Sequence, residues 1–150
     1  MEIVQMIKTG YEKILGTPSI QSILEILSIY NTITIKDIQN FTGYSTRTIY
    51  DNLKILIDNN IIEKNKRGSY KLTNSRSVQL LSKYYEQIMI EYVGAKLQKI
   101  TEKIDKAKTY KEVKSDLDEL EDLAKILEPI FRKFFPSAIQ DIVLSVQRLG

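Results

Sequence analysis

Residues 31–74 read NTITIKDIQNFTGYSTRTIYDNLKILIDNNIIEKNKRGSYKLTN, and the fold is decided there. Thr34 is followed three residues later by Asp37, the spacing of a capping box. In that arrangement each side chain satisfies a backbone amide that a helix start leaves orphaned. A short helix is expected next, with Ile35, Ile38 and Phe41 inward. Thr42-Gly43-Tyr44 reads as a tight turn, because Gly43 takes positive φ without a steric penalty. Ser45 then caps another helix through its hydroxyl. In it Ile49, Leu53, Leu56 and Ile57 are expected inward, and Thr46, Arg47, Tyr50, Asp51 and Lys54 on the opposite face. Asn59-Asn60 ends it, since Asn tolerates the left-handed conformation of a helix C-terminus. Two extended runs, 62–65 and 69–73, flank Lys66-Arg67-Gly68 and predict a β-hairpin with a basic tip. Thr32-Ile33 has room for only a very short strand.

Upstream, residues 2–15 place Ile3, Met6, Ile7, Tyr11 and Ile14 at spacings of three and four, an amphipathic helix ended by Gly16. Thr17-Pro18 restarts the chain with an N-cap and a proline at the first helical position. Ile20, Ile23, Leu24, Leu27 and Tyr30 share one face of that helix.

Downstream the character changes. Val78, Leu81, Tyr85, Ile88 and Tyr92 follow a heptad-like spacing, which then slips to Val93, Leu97, Ile100, Ile104 and Ala107. A helix over residues 75–108 is about 50 Å long at 1.5 Å per residue. Thr109-Tyr110 marks a break. A second stripe runs Val113, Leu117, Leu120, Ala124, Leu127, Phe131, Phe134 until Pro136, and a last helix holds Ile139, Ile142, Val143 and Val146. The acidic run Asp116, Asp118, Glu119, Glu121, Asp122 lies near a helix start, where carboxylates suit the macrodipole, and reads as a solvated face.

Composition narrows the chemistry. The chain has 150 residues, no Cys, His or Trp, and a net charge of +3. Without Cys there is no disulfide framework and no thiol nucleophile. Without His as well, the usual ligands of zinc, copper and iron are missing, as is the commonest general base. No enzyme, metal site or cofactor is expected. No apolar run reaches the roughly 18 residues of a membrane span, and residues 1–13 lack the pattern of a signal peptide, so a cytoplasmic protein is expected. The charge is unevenly placed. From Ser45 to Arg76 seven basic residues face three acidic ones, a surplus of four against three for the whole chain. The excess positive charge therefore sits on the capped helix and the hairpin, as an electrostatic footprint for nucleic acid requires.

The segment YSTRTIYDNLKILIDNNIIEKNKRGSYKLT resembles the recognition helix and wing of MarR/ArsR-type winged-helix regulators. Shared features are a small polar cap (Ser45), polar positions 46–48, an aliphatic (Ile49), Leu53 with Leu56, a turn residue (Asn60) and two aliphatics (Ile61, Ile62). The family usually has Gly where Asn60 stands, and its metal-sensing branch uses Cys and His, which this chain lacks. The resemblance covers about a third of the chain. It implies that Thr46, Arg47, Tyr50 and Lys54 face DNA.

The expected architecture is mainly α with a small β-hairpin wing: residues 1–16 an N-terminal helix at the dimer interface, 17–74 a winged helix-turn-helix, and 75–150 a long-helix dimerisation region with coiled-coil character. The expected function is a homodimeric regulator of transcription that binds double-stranded DNA. Ser45, Thr46, Arg47, Thr48, Tyr50 and Lys54 would enter the major groove, and Lys64, Lys66, Arg67 and Lys71 would meet the backbone or minor groove. The dimer seam is expected at Val78, Leu81, Tyr85, Ile88, Tyr92, Leu97, Ile100, Ile104, Leu120, Leu127 and Phe131, because a helix that long outruns so small a domain. The competing readings are a plasmid-partition or chromatin-organising protein, and a winged helix used for protein contacts. No residue pattern specifies a small-molecule effector.

Overall fold

Side-chain caps mark where the two helices of residues 35–58 begin. The computed structural model describes residues 11–149. In chain order the elements are α1 (Tyr11–Leu15), α2 (Pro18–Ile29), α3 (Ile35–Thr42), α4 (Thr46–Asp58), β1 (Ile62–Lys64), β2 (Tyr70–Leu72), α5 (Arg76–Lys106), a 3-10 turn (Tyr110–Glu112), α6 (Lys114–Ile126), α7 (Glu128–Phe134) and α8 (Ala138–Val146). The chain is mainly helical, with one small antiparallel hairpin. Of the expected N-terminal stripe, Tyr11 and Ile14 fall on α1, while Ile3, Met6 and Ile7 lie outside the described residues. The chain forms two compact units, one ending at Tyr85 and the other beginning at Glu86.

In the first unit the capping box at α3 is complete. Thr34 N donates to Asp37 Oδ2 at 3.1 Å, and Asp37 N donates to Thr34 Oγ1 at 3.2 Å. Gly43 closes α3 in the left-handed region, φ 74°. Ser45 Oγ caps α4 by accepting from Thr48 N at 3.1 Å. At the other end of α4, Asn60 is left-handed (φ 58°). Asn60 N donates to Ile57 O at 3.0 Å and Ile61 N to Leu56 O at 2.9 Å, the two bonds of a Schellman motif. That motif turns the chain straight into β1. The hairpin register pairs Ile62 with Leu72, Glu63 with Lys71 and Lys64 with Tyr70. The strand expected at Thr32-Ile33 reduces to a single bridge, in which Ile33 and Tyr70 exchange both backbone hydrogen bonds at 3.0 and 2.8 Å.

Ile20, Ile23, Leu24, Leu27, Ile38, Ile49, Leu53 and Leu56 are buried together with Ile33, Ile61, Ile62 and Tyr70. Phe41 is half-buried and stacks on Tyr30 with ring centroids 5.3 Å apart, and Leu72 is half-buried. One expectation fails. Ile57 is exposed (38%), and Asn52 takes the inward place instead at 7% exposure. At about 100° per residue, positions 49, 52, 53 and 56 cluster around one direction, and Ile57 lies about a quarter-turn away from the centre of that cluster. Asn52 Nδ2 donates to Ser19 Oγ at 2.8 Å, joining α4 to α2.

The first turns of α5 belong to this unit. Val78 and Tyr85 are buried, Tyr11 Oη lies 3.2 Å from Ser77 Oγ, and Gln79 Nε2 donates to Thr73 O at 2.9 Å. The division between the compact units therefore falls inside α5.

In the second unit α6 runs antiparallel to the second half of α5, with Lys96 paired to Glu119 at 2.8 Å and Lys103 to Asp116 at 2.6 Å. Leu97, Ile100, Ile104, Val113 and Leu120 are buried. The break at 109–110 is a capped turn, where the Glu112 carboxylate accepts from Thr109 N at 3.1 Å and Lys108 N at 2.6 Å. Those amides, that of Thr109 foremost, hold its pKa below the usual glutamate value. The stripe read as one run from Val113 to Phe134 is broken at Leu127 (φ −102°, ψ 32°) into α6 and α7. Pro129 is the cause: it has no N–H to continue the ladder, and it sits in the first turn of α7, where that donor is not needed. A Cβ placed on Gly94 would meet Phe135 Cζ at 3.6 Å, so the helix and that ring are in near contact.

Candidate nucleic-acid interface

Three consecutive devices present the polar face of α4. The turn at Gly43 reverses the chain, the Ser45 cap orients the first turn, and the Asn52–Ser19 bond holds the opposite face against α2. Arg47, Tyr50, Asp51 and Lys54 are exposed, Tyr50 at 52% despite its size. Spacings of three and four put Arg47, Tyr50 and Lys54 on one stripe. Ser45, Thr46 and Thr48 have structural partners of their own. Ser45 Oγ lies 2.9 Å from Thr48 Oγ1, Thr48 is half-buried, and Gln39 Nε2 donates to Thr46 Oγ1 at 3.4 Å from α3. These three residues shape the start of α4, and the exposed functional groups come after them.

The hairpin tip is equally well defined. Asn65 Oδ1 accepts from Arg67 N at 2.9 Å and from Ser69 N at 3.0 Å, and its amide nitrogen bonds Ser69 Oγ. Gly68 completes the turn at φ 81°. Asn65, which the expected extended run 62–65 includes, opens this turn, and Asn is a known turn former because its side chain accepts from the backbone two residues on. Lys66 and Arg67 are exposed.

The cations then separate by what they already touch. Lys71 pairs with Glu63 across the hairpin at 3.2 Å. Lys64 sits opposite Tyr70, its ammonium 5.8 Å from the ring centroid. Arg47, Lys54, Lys66 and Arg67 make no ion pair or hydrogen bond through their side chains among the described residues. Four of the expected contact residues thus offer uncommitted charge, and Lys71 does not.

Most of the residues expected in a dimer seam are covered by their own chain. Val78, Tyr85, Leu97, Ile100, Ile104, Leu120 and Phe131 are all at or below 8% exposure, and Leu81 and Leu127 are half-buried. The stripes can pair as an antiparallel hairpin within one chain or across two chains, and the antiparallel return of α6 covers Leu97, Ile100 and Ile104 within the chain. What α5 exposes is a neighbouring stripe, Leu80, Tyr84, Ile88 and Tyr92, recurring at every fourth position. Ile88 and Tyr92 were expected there; Leu80 and Tyr84 were not.

No helix among the described residues is long and apolar enough to cross a membrane. No protein-family model matches this chain, and neither a curated protein nor a solved structure does.

Proposed function

We propose that the first unit is a winged helix-turn-helix that binds double-stranded DNA, and that the protein regulates transcription as a homodimer. In this reading α3 and α4 are the helix-turn-helix, α4 enters the major groove, and the β1–β2 hairpin is the wing. The observation that carries the reading is the pairing of an exposed Arg47–Tyr50–Lys54 stripe on a capped helix with a structured hairpin tip bearing two uncommitted cations. An uncommitted cation reaches a phosphate without first losing an internal partner, and phosphate contacts dominate affinity for duplex DNA. Arg47 is the candidate for base recognition, because a guanidinium matches the O6/N7 edge of guanine bidentately. The resemblance to MarR/ArsR-type regulators points the same way. The exposed stripe of α5 supplies the surface through which two copies pair. Two-fold symmetry would set two copies of α4 about 34 Å apart, one turn of duplex.

The test is binding of the full chain to labelled duplexes, followed by selection from random sequence. Enrichment of a two-fold symmetric site supports a sequence-specific regulator. Strong binding with no enrichment supports an organising or partition protein. No binding to any duplex at low salt leaves the polar face of α4 for protein contacts and overturns the proposal.

A further inference from the structure

The second unit holds an apolar groove that none of the preceding functional reading uses. It lies between α6 and α8 beside the 3-10 turn and encloses about 510 Å³. That falls in the range of roughly 300–1,000 Å³ typical of small-molecule sites. Leu120 and Ile142 are its buried floor, and Ala124 and Val143 contribute to its walls. Val143 is 48% exposed, a large share for an aliphatic side chain facing a groove.

The groove has a sign. Asp118 and Glu121 line it, one turn of α6 apart, and no Lys or Arg does. Asp118 has no hydrogen-bond or ion-pair partner among the described residues. Glu121 has only the loose i,i+4 pair with Lys125, at 3.7 Å with both side chains about 70% exposed. The contrast within the same helix is direct: Asp116 and Glu119, on the side facing α5, are held by Lys103 and Lys96 at 2.6 and 2.8 Å. On the face toward α5 both carboxylates are closely paired, whereas on the groove face Glu121 is held only loosely and Asp118 not at all. An apolar cleft lined by one unpaired and one loosely paired carboxylate favours a ligand that brings its own positive charge, since apolar walls bind the body and the carboxylates orient the head.

We propose that this groove binds an amphiphilic cationic small molecule, an apolar body carrying one amine. The proposal stands apart from the DNA-binding reading, because it uses no residue of the first unit.

The probes are octylammonium and octanoate, which share one chain and differ in charge, titrated into the full-length protein by calorimetry and NMR. Octylammonium is expected to saturate at one per chain and to shift the Tyr110 ring and the Ala124 and Val143 methyl groups. Octanoate is expected to bind about threefold to tenfold more weakly, the span that one or two partly exposed charge pairs produce. The Asp118→Asn, Glu121→Gln double variant should bring the two affinities together with thermal unfolding unchanged. Ala124→Leu, which fills the groove, should block both probes. Equal affinities for the two probes in the unaltered chain overturn the proposal. So do saturable shifts confined to other residues, or an Ala124→Leu variant that binds as before. A groove whose signals change only on dilution, together with a halving of mass, would show that a second copy covers it and would also overturn the proposal.

Discussion

The sharpest expected outcome concerns the hairpin tip. Replacing Lys66 and Arg67 with Ala removes two uncommitted cations, while Asn65, Ser69 and Gly68 keep the turn, because its hydrogen bonds use the Arg67 backbone and not its side chain. Each lost phosphate contact lowers the slope of log affinity against log salt by about 0.9, so two lower it by about 1.8 per bound chain. Between 50 and 200 mM salt, log salt changes by about 0.6, so the variant should lose about tenfold less affinity across that range than the unaltered chain does. Lys71→Ala is the internal control. Its ammonium is committed to Glu63 at 3.2 Å, so removing it should change the slope by well under 0.9. The assay is fluorescence anisotropy of a labelled duplex, titrated at several salt concentrations, once with a selected site and once with random sequence. Both duplexes should respond alike, since phosphates carry no sequence. An unchanged slope in the double variant, or a Lys71→Ala effect as large, would refute the assignment of the tip to DNA. A loss confined to the selected site would show that the tip reads bases.

Other outcomes follow from local geometry. Arg47→Ala should weaken binding to a selected site by about 1–3 kcal/mol and relax preference at one base position, read by the same anisotropy assay. Thr34→Ala opens the capping box and should cost about 1 kcal/mol, measured by urea unfolding. Asn52→Ala removes a buried amide from Ser19 and should cost about 1–3 kcal/mol in the same assay. The Glu112 carboxyl titrates lower in the folded chain than in the unfolded one, so its contribution is present above the ordinary glutamate pKa and is lost as pH falls through the folded value. Glu112→Gln should therefore flatten part of the acid-side decline in thermal stability, and an unchanged decline would remove Glu112 from its cause.

The first unit was legible because its boundaries are written in local chemistry. Thr34 with Asp37, Gly43, Ser45 and Asn60 each perform the capping or turning role that their side chains suggest. The hairpin followed from Gly68 between two extended runs. What stayed hidden depended on partners distant in sequence. Asn52 looks like a surface residue until Ser19, on another helix, gives it a hydrogen bond. Lys71 looks as available as Lys66 until the register sets it opposite Glu63. The second unit misled more. Apolar periodicity shows that a stripe is buried but not against what, so residues such as Leu97, Ile100 and Ile104 read as a seam between copies, although their own chain buries them. The break at Leu127 was in plain sight as Pro129, but the apolar spacing runs through it unbroken.

The central claim is that α4 and the hairpin tip together form a surface for duplex DNA. The measurement that tests it most directly is the anisotropy of a labelled duplex titrated with the full chain at 50 mM salt, beside the Arg47→Ala, Lys54→Ala, Lys66→Ala, Arg67→Ala variant. Binding that is steeply salt-dependent in the unaltered chain and lost in a folded quadruple variant is the predicted result. Absence of binding by the unaltered chain, or equal binding by the two proteins, would contradict the claim.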